Sequence, residues 1–212
     1  MKRLVVLDVD STMIEQEVIE LLAARAGLQE QVKELTDKAM SGEIDFKQAL
    51  LMRVALLEGL SDAVFEEIHS EITVTDGVEE LIDSVHRSGG LVGAISGGFS
   101  QILEPLALRL GLDFYLANEL EISQGILTGK ILGEIVDGSA KANNLLKWAM
   151  EHGVDAPDTV AVGDGANDIP MLQAAGFAVA FRPKQILRQY ADVVIEGNSL
   201  TPLIELLELR SS

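Results

Sequence analysis

Short apolar runs recur along the chain, each bounded by glycine or polar residues. They are too short for helices and rich in Val, Ile, Leu and Ala, which is typical of strands buried on both faces of a parallel sheet. The predicted strands span residues 4–7, 91–95, 159–162, 177–181 and 193–195. Segments with apolar residues at helical spacing separate them, so the pattern predicts an α/β fold with a parallel sheet and right-handed crossovers.

Two segments depart from this alternation. From about residue 15 to residue 70 the apolar positions keep helical spacing throughout, so the pattern predicts a helical insertion after the first strand. Helix ends are predicted at Gly27, Gly42 and Gly59, and Ser61 is predicted to cap the following helix. Residues 119–135 carry glycines among alternating apolar residues, which predicts a β-hairpin.

Carboxylates cluster directly after two of the predicted strands. Asp8 and Asp10 follow the first strand, and Asp164 and Asp168 follow the strand at 159–162. In open α/β sheets the ligand crevice lies at the carboxyl ends of the strands, so the two clusters can meet in space. Carboxylates brought together repel each other unless a cation or a shared proton intervenes, and Mg²⁺ is the simplest cation for an all-oxygen site.

Each of these features also has a plain structural interpretation. Asp164, Asn167 and Asp168 could form an Asx turn that starts a helix. The Ser96–Gly97–Gly98 segment is predicted as a loop whose backbone N–H groups can approach an oxyanion, but glycine-rich turns are also common between strand and helix. Lys141 is predicted in the first turn of a helix, where the helix dipole disfavours it unless an anion is present.

Composition limits the possible functions. The chain has 212 residues, 48% of them hydrophobic, and no cysteine, which excludes disulfides, thiolate metal sites and a cysteine nucleophile. Its net charge of -18 disfavours nucleic acids and anionic membranes as partners. The first apolar run ends at Asp8, too early for a signal peptide or a membrane span. We therefore expect a cytoplasmic protein, monomeric or homodimeric, in which an anionic substrate is bound by local positive charge.

The ordered motifs Asp8–Val9–Asp10–Ser11–Thr12, Ser96–Gly97–Gly98–Phe99, Lys141 and Gly163–Asp164–Gly165–Ala166–Asn167–Asp168 resemble those of the haloacid dehalogenase-like phosphatases. Residues 14–17 and the segment from Gly42 to Arg53 resemble more closely the phosphoserine phosphatase family. The resemblance covers nearly the whole chain. It implies a Rossmann-like core, residues 1–13 and 75–212, and a small helical cap, residues 14–74. Some relatives carry an additional regulatory domain, which we do not expect here.

The resemblance also implies a mechanism and a set of site residues. Asp8 is the expected nucleophile that forms an aspartyl phosphate, and Asp10 is the expected general acid and base. Mg²⁺ is expected to bind Asp8, Asp164 and the backbone carbonyl of Asp10. The residues expected to bind phosphate or substrate are Glu17, Arg53, Ser96, Gly97, Lys141 and Asn167. Asp168 is expected to support Lys141 or the water molecules on the metal. The implied reaction is hydrolysis of O-phosphoserine, the last step of serine biosynthesis.

Three alternatives remain open at the level of sequence. The same motifs suit a phosphotransferase that passes the phosphoryl group to another alcohol, such as homoserine. The residues around Ser96 resemble a nucleophile elbow, so a serine esterase that uses Ser96 and His152 is conceivable. A non-catalytic phosphate-binding module would not need the Asp8 and Asp10 pair. From the residues alone, Glu17 and Arg53 also fit the exposed faces of helices, with Glu15 and Glu17 predicted in the first helical turn.

Overall fold

The computed structural model describes residues 2–41 and 43–210. It is built on one sheet of seven strands in the order β4-β3-β2-β1-β5-β6-β7. The strands are β1 (Leu4–Leu7), β2 (Leu91–Phe99), β3 (Phe114–Ser123), β4 (Ile126–Leu132), β5 (Thr159–Gly163), β6 (Phe177–Phe181) and β7 (Val193–Ile195). Every residue of β1, β5 and β6 is buried, as the unbroken apolar runs predict.

The strand order reverses at β1, which lies in the middle of the sheet. Leu7, at the end of β1, pairs with Ala94 of β2 on one side and with Val162 of β5 on the other. The chain builds β2 and β3 on the first side and then crosses to β5, β6 and β7. Only β3 and β4 pair in antiparallel fashion among the described strands. The connections that leave the carboxyl ends of β1 and β5 run to opposite sides of the sheet, and such a point is the usual position of a ligand crevice.

Helices cover both faces of the sheet. They are α1 (Val18–Ala26), α2 (Gln29–Ser41), α3 (Phe46–Ala55), α4 (Val64–Glu71), α5 (Val78–Arg87), α6 (Ser100–Leu110), α7 (Gly138–Glu151), α8 (Ile169–Ala174) and α9 (Thr201–Leu209). Val5 and Leu7 point into a core shared with α5, α6 and α9, whereas Leu4 and Val6 point into a second core with α7 and α8. None of the described helices is long and apolar enough to cross a membrane.

The segment between β1 and α5 forms the four helices α1–α4, as the sequence pattern predicts. Gly27 ends α1 with a φ of 70°, and the Asp45 side chain caps α3 by accepting the Gln48 N–H at 2.8 Å. The β3–β4 hairpin packs against this segment, because the Gly59 N–H donates to the Leu127 carbonyl at 2.9 Å. The helix end predicted at Gly42 lies outside the described residues.

The predicted loop at residues 96–98 is wrong, because β2 continues through these residues to Phe99. The side-chain amide of Asn118 donates to the carbonyls of Gly97 at 2.8 Å and Gly98 at 3.2 Å. These bonds keep the segment extended where its ladder with β3 is irregular. The hairpin predicted from residue 119 is present, but its first strand begins at Phe114 and joins the parallel sheet before it turns.

Two predicted helix starts are also wrong. Ile14 pairs with Val74 in an isolated bridge, so α1 begins at Val18 and Glu17 is its extended N-cap residue. Ser61 pairs with Ile126 across to the hairpin, and its hydroxyl accepts the Ala63 N–H at 3.3 Å. At Ile14, pairing with Val74 holds the chain extended where local periodicity favours a helix. At Ser61 the chain first makes a turn, and α4 begins three residues later at Val64.

Candidate active site

Asp8 and Asp10 lie on either side of the point where β1 leaves the sheet. The Asp8 N–H still donates to the Val162 carbonyl at 2.8 Å, so Asp8 extends the ladder with β5 by one residue. The chain then enters an irregular turn, Val9–Met13, in which Ser11 has a positive φ of 58°. The turn brings the Asp10 carboxylate beside Gly98, where an added Cβ would lie 2.8 Å from Oδ2 of Asp10.

Lys141 lies in the first turn of α7 and is fully buried. Its Nζ contacts Oδ1 of Asp8 and, at 2.6 Å, Oδ1 of Asp168. Burial alone would lower the pKa of Lys141, but Asp168 and Asp8 together raise it above its ordinary value. The ammonium group therefore stays charged, and the anions that a lysine at this end of a helix requires are supplied by the protein itself.

Asp168 uses both of its carboxylate oxygens within the protein. Oδ1 contacts Lys141, and Oδ2 accepts the backbone N–H groups of Asp164 and Gly165, each at 3.1 Å. The carboxyl group packs so closely on Gly163 that an added Cβ there would lie 2.5 Å from Cγ of Asp168. Asp168 thereby fixes both the position of Lys141 and the loop that carries Asp164.

The acidic cluster fits a divalent cation. One carboxylate oxygen from each of Asp8, Asp164 and Asp168 lies within 4.8 Å of the others, and all three residues are buried. Burial raises the pKa of Asp164 to about 6, and burial and Asp168 raise that of Asp8 well above its ordinary value. Both oxygens of Asp168 are bonded within the protein, whereas Asp8 contacts Lys141 through Oδ1 and Asp164 lies 3.7 Å from Lys184 through Oδ2. Asp8 and Asp164 are therefore the carboxylates better placed to bind a metal. Hard oxygen donors of this kind suit Mg²⁺, Ca²⁺ or Mn²⁺.

The Asp10 carboxyl group is suited to carry a proton. Its Oδ1 is buried and has no hydrogen-bond partner among the described residues. Burial, followed by the negative charge of Glu17, raises the pKa of Asp10 to about 8. A carboxyl group with this pKa is largely protonated at neutral pH and can donate its proton to a leaving group.

The end of β2 supplies the opposite wall of the site. The Ser96 hydroxyl is buried and accepts the Gly98 N–H at 2.8 Å. Gly97 lies under the Phe46 ring of α3, since an added Cβ would be 3.1 Å from Cζ of Phe46. Asn167 lies in the Asp164 loop, with its side chain folded over Gly165.

Glu17 and Arg53 come from the helical segment. Glu17 accepts the Ser11 hydroxyl at 2.7 Å through Oε1, and its charge contributes to the raised pKa values of Asp10 and Asp164. Arg53 is partly buried, and among the described residues its guanidinium donates to oxygen atoms of Ala49 and Thr36 only. No described acidic side chain lies within 4 Å of it. Burial lowers the pKa of Arg53, and Glu17 and Asp10 oppose this shift.

Sequence reasoning missed three residues that shape this site. Asn118 is buried and holds the Gly97 and Gly98 carbonyls, but nothing distinguishes it in the sequence from a hairpin residue. Phe46 lies in the segment where helical spacing of apolar residues predicts only a helix, so its contact with Gly97 has no signal in the sequence. Arg182 contacts the turn after β1, and its position directly after a buried strand was a usable signal.

The pair required for a serine esterase does not form. The ring of His152 packs against Phe114 with 4.6 Å between the ring centroids. The Ser96 hydroxyl is bonded to Gly98, and no hydrogen bond joins it to His152 among the described residues. His152 is therefore not placed to act as a general base for Ser96.

A family model for haloacid dehalogenase-like hydrolases matches residues 5–173. This match takes in β1, the helical segment, β2, α7 and the Asp164 loop, so it includes all the carboxylates described above and Lys141. The chain belongs to the haloacid dehalogenase-like hydrolases.

Within this family, the chain is similar to phosphoserine phosphatases over nearly its whole length. It is 46% identical to that of Streptococcus thermophilus, across 98% of this chain and 96% of the relative. It spans about half the length of the one from Streptomyces coelicolor, at 49% identity. Two solved phosphoserine phosphatases, described as a phospho-aspartyl intermediate analogue and as a substrate-bound complex, superpose with TM-scores of 0.91 and 0.92. They are 41% and 40% identical, and each alignment covers 97% of this chain and 98% of the other.

Proposed function

We propose that the protein hydrolyses O-phosphoserine to serine and phosphate with Mg²⁺ as cofactor, the last step of serine biosynthesis. The observation that carries the proposal is the buried Lys141, held between Asp8 and Asp168 in a crevice that also contains Asp10. This arrangement combines a fixed carboxylate nucleophile, a separate protonated carboxyl group and a permanent cation. The solved relative described as a phospho-aspartyl intermediate analogue supports the same chemistry.

In the proposed reaction, a carboxylate oxygen of Asp8 attacks phosphorus and forms an aspartyl phosphate. Asp10 donates its proton to the serine oxygen as the P–O bond breaks. It then takes a proton from the water that hydrolyses the aspartyl phosphate, which returns both carboxyl groups to their starting states. The raised pKa of Asp10 suits the first step, and the contact with Lys141 fixes the orientation of Asp8.

The remaining core residues would position and neutralise the phosphoryl group, which is the main demand of phosphoryl transfer. Ser96, the Gly97 N–H, Lys141 and Asn167 would bind its oxygen atoms. Asp8, Asp164 and the backbone carbonyl of Asp10 would hold Mg²⁺. When bound, the metal would offset the charge that builds up when two anions approach each other.

Substrate selection would come from the helical segment. O-Phosphoserine carries a carboxylate and an ammonium group beyond its leaving oxygen. Arg53 offers a guanidinium without an acidic partner among the described residues, and the Glu17 carboxylate offers the complementary charge. We infer that residues 14–74 act as a cap over a core formed by residues 1–13 and 75–212. The Phe46 ring over Gly97, and the Lys47–Asp137 ion pair at 2.9 Å, support this division.

A matched substrate panel tests the proposal. It contains O-phosphoserine, phosphoethanolamine, which lacks the carboxylate, 3-phosphooxypropionate, which lacks the ammonium group, and p-nitrophenyl phosphate. We expect Mg²⁺-dependent release of phosphate with the highest kcat/KM for O-phosphoserine. The same assay with homoserine present separates hydrolysis from phosphotransfer. Equal activity on all four esters, or phosphohomoserine as the main product, would contradict the proposal.

A further inference from the structure

Arg182 connects the far end of the sheet to the turn after β1. It directly follows β6, and its backbone N–H donates to the Ile195 carbonyl of β7 at 2.8 Å. Its guanidinium makes two separate contacts: Nη1 pairs with Oε2 of Glu15 at 2.6 Å, and Nη2 donates to the Ser11 carbonyl at 3.1 Å. The guanidinium also lies over the Phe181 ring, 4.5 Å from its centre. The side chain is therefore held in place on several sides.

Both residues joined by the Nη2 hydrogen bond have unusual backbone conformations. Ser11 has a φ of 58° and Arg182 a φ of 42°. Only three non-glycine residues in the described part of the chain have a positive φ, and these are two of them. Such conformations cost free energy and persist only where the surrounding structure maintains them, most often near functional sites.

Ser11 in turn restrains Glu17 through a hydrogen bond. Its hydroxyl donates to Oε1 of Glu17 at 2.7 Å, and its N–H donates to the Gln16 carbonyl at 3.2 Å. No described basic side chain lies within 4 Å of the Glu17 carboxylate. The hydrogen bond from Ser11 is therefore the main restraint on the orientation of Glu17 that the described residues provide.

We propose that Arg182 is a positioning residue for recognition of the substrate's ammonium group. By holding the Ser11 carbonyl, it keeps the Ser11 hydroxyl against Glu17 and so orients the carboxylate before substrate binds. Two acceptors that lie apart, Glu15 and the Ser11 carbonyl, require the planar fork of an arginine. This inference rests on the proposed function, because it needs Glu17 to receive an ammonium group. Arg182 itself touches no substrate.

The test compares R182Q with the wild type on two substrates that differ only in the ammonium group, O-phosphoserine and 3-phosphooxypropionate. We expect the KM for O-phosphoserine to rise by about 3- to 10-fold, as for loss of one restraining hydrogen bond. All parameters for 3-phosphooxypropionate should stay within about twofold. When R182Q is added to the E17Q variant, the KM for O-phosphoserine should change by less than about twofold further.

R188Q is the matched control, because Arg188 forms a two-pronged ion pair with Glu196 at 2.5 and 3.0 Å, near the same edge of the sheet. R188Q should leave the KM and kcat for both substrates unchanged. The proposal would be overturned if R182Q raised the KM of both substrates equally or of neither. It would also be overturned if the effects of R182Q and E17Q on O-phosphoserine were additive. If R182Q unfolds at the assay temperature, R182K, which keeps the charge but not the fork, should show the same selective rise. A wild type that does not prefer O-phosphoserine to 3-phosphooxypropionate would instead refute the proposed function.

Discussion

Lys141 keeps its charge without contact with solvent, and the neighbouring carboxylates explain why this is stable. With Asp8 and Asp168 it forms a buried group of two negative charges and one positive charge. Removing the lysine would leave two buried carboxylates without a counter-charge, a change that typically costs about 3–5 kcal/mol. Removing the charge of Asp8 instead leaves a neutral pair, Lys141 with Asp168. The two carboxylates differ in their other contacts, because Asp168 also accepts the N–H groups of Asp164 and Gly165 through its second oxygen.

This difference predicts the outcome of Asp8→Asn. The substitution keeps the shape of the side chain but removes the proposed nucleophile, so kcat should fall by at least about 10³-fold. The fold should be retained, because Lys141 still has Asp168. Measurement of phosphate release and of thermal unfolding checks both parts. Asp83→Asn, at an exposed position of α5, is the control. Turnover near the wild-type rate would refute the assignment of Asp8.

A second prediction concerns Arg53. A guanidinium can bind both oxygens of a carboxylate, whereas the ammonium group of lysine offers only a point charge. Arg53→Lys should therefore lower kcat/KM for O-phosphoserine by about 30-fold or more, the lower end of the cost of disrupting a buried charge pair. Hydrolysis of phosphoethanolamine should change little.

Arg87→Lys, at the exposed C-terminal end of α5, provides the comparison for a conservative change away from the site. An equal loss on phosphoethanolamine in Arg53→Lys would mean that Arg53 serves the chemistry or the fold. The assignment of O-phosphoserine would then lose its main physical support.

At the scale of elements, the apolar patterns predict most of the fold. Strands β1, β5, β6 and β7 lie within one residue of their predicted bounds, because each is formed by a short apolar run. The α/β class and the helical insertion are confirmed for the same reason. The failures occur where a distant partner decides the conformation. Asn118 extends β2, and pairing with Val74 delays the start of α1.

The candidate site follows the same rule. The carboxylates of the site are predictable because the carboxyl ends of β1 and β5 lie side by side where the strand order reverses, whichever side chains they carry. The sequence did not distinguish Lys141 from a surface lysine, because only the fold brings it to Asp8. The contact of Phe46 with Gly97 depends on how α3 packs over β2, which no local pattern encodes.

The extended end of β2 leads to a third prediction. A Cβ on Gly98 would lie 2.8 Å from Oδ2 of Asp10 and 2.9 Å from the Ser96 hydroxyl, so Gly98→Ala must displace one of them. We expect kcat to fall by about 10- to 100-fold, the usual effect of moving a catalytic group by about 1 Å. Gly197→Ala is the control, since an added Cβ there meets nothing within 4 Å. Unchanged kcat in Gly98→Ala would show that neither contact matters to the reaction.

At the scale of the whole molecule, the site lies in a strongly anionic protein. The chain has 34 acidic and 16 basic residues and a net charge of -18. Several basic side chains, such as Arg25 with Glu67 and Arg188 with Glu196, are already paired near the surface, where ion pairs contribute little to stability. Lys141 is matched by Asp8 and Asp168. A phosphate ester entering the crevice therefore needs positive charge beyond what the described side chains leave unpaired.

Metal binding should consequently stabilise the fold as well as support activity. Burial, together with the negative charge of Asp168, raises the pKa values of Asp8 and Asp164. A cation bound by these two carboxylates would offset both effects, so saturating Mg²⁺ should raise the Tm of the wild type. At 100 times Kd the expected gain in unfolding free energy is about 2.7 kcal/mol. EDTA should abolish phosphate release and Mg²⁺ restore it. Ca²⁺ should inhibit, because its larger and more flexible coordination shell can occupy both oxygens of Asp8.

Asp164→Asn separates metal binding from other causes of inactivation. The substitution removes one ligand charge and part of the repulsion, so without metal its Tm should equal or exceed that of the wild type. Its Tm should no longer respond to Mg²⁺, and activity should be lost. Asp158→Asn, at a partly exposed residue before β5, should keep the full Mg²⁺ response. Full activity of the wild type in EDTA, or an unchanged Mg²⁺ response in Asp164→Asn, would contradict the assignment of this cluster to the metal. The positive charge for an anionic substrate would then have to come from side chains near the site, namely Lys141, Arg53 and Lys184, which lies 3.7 Å from Asp164.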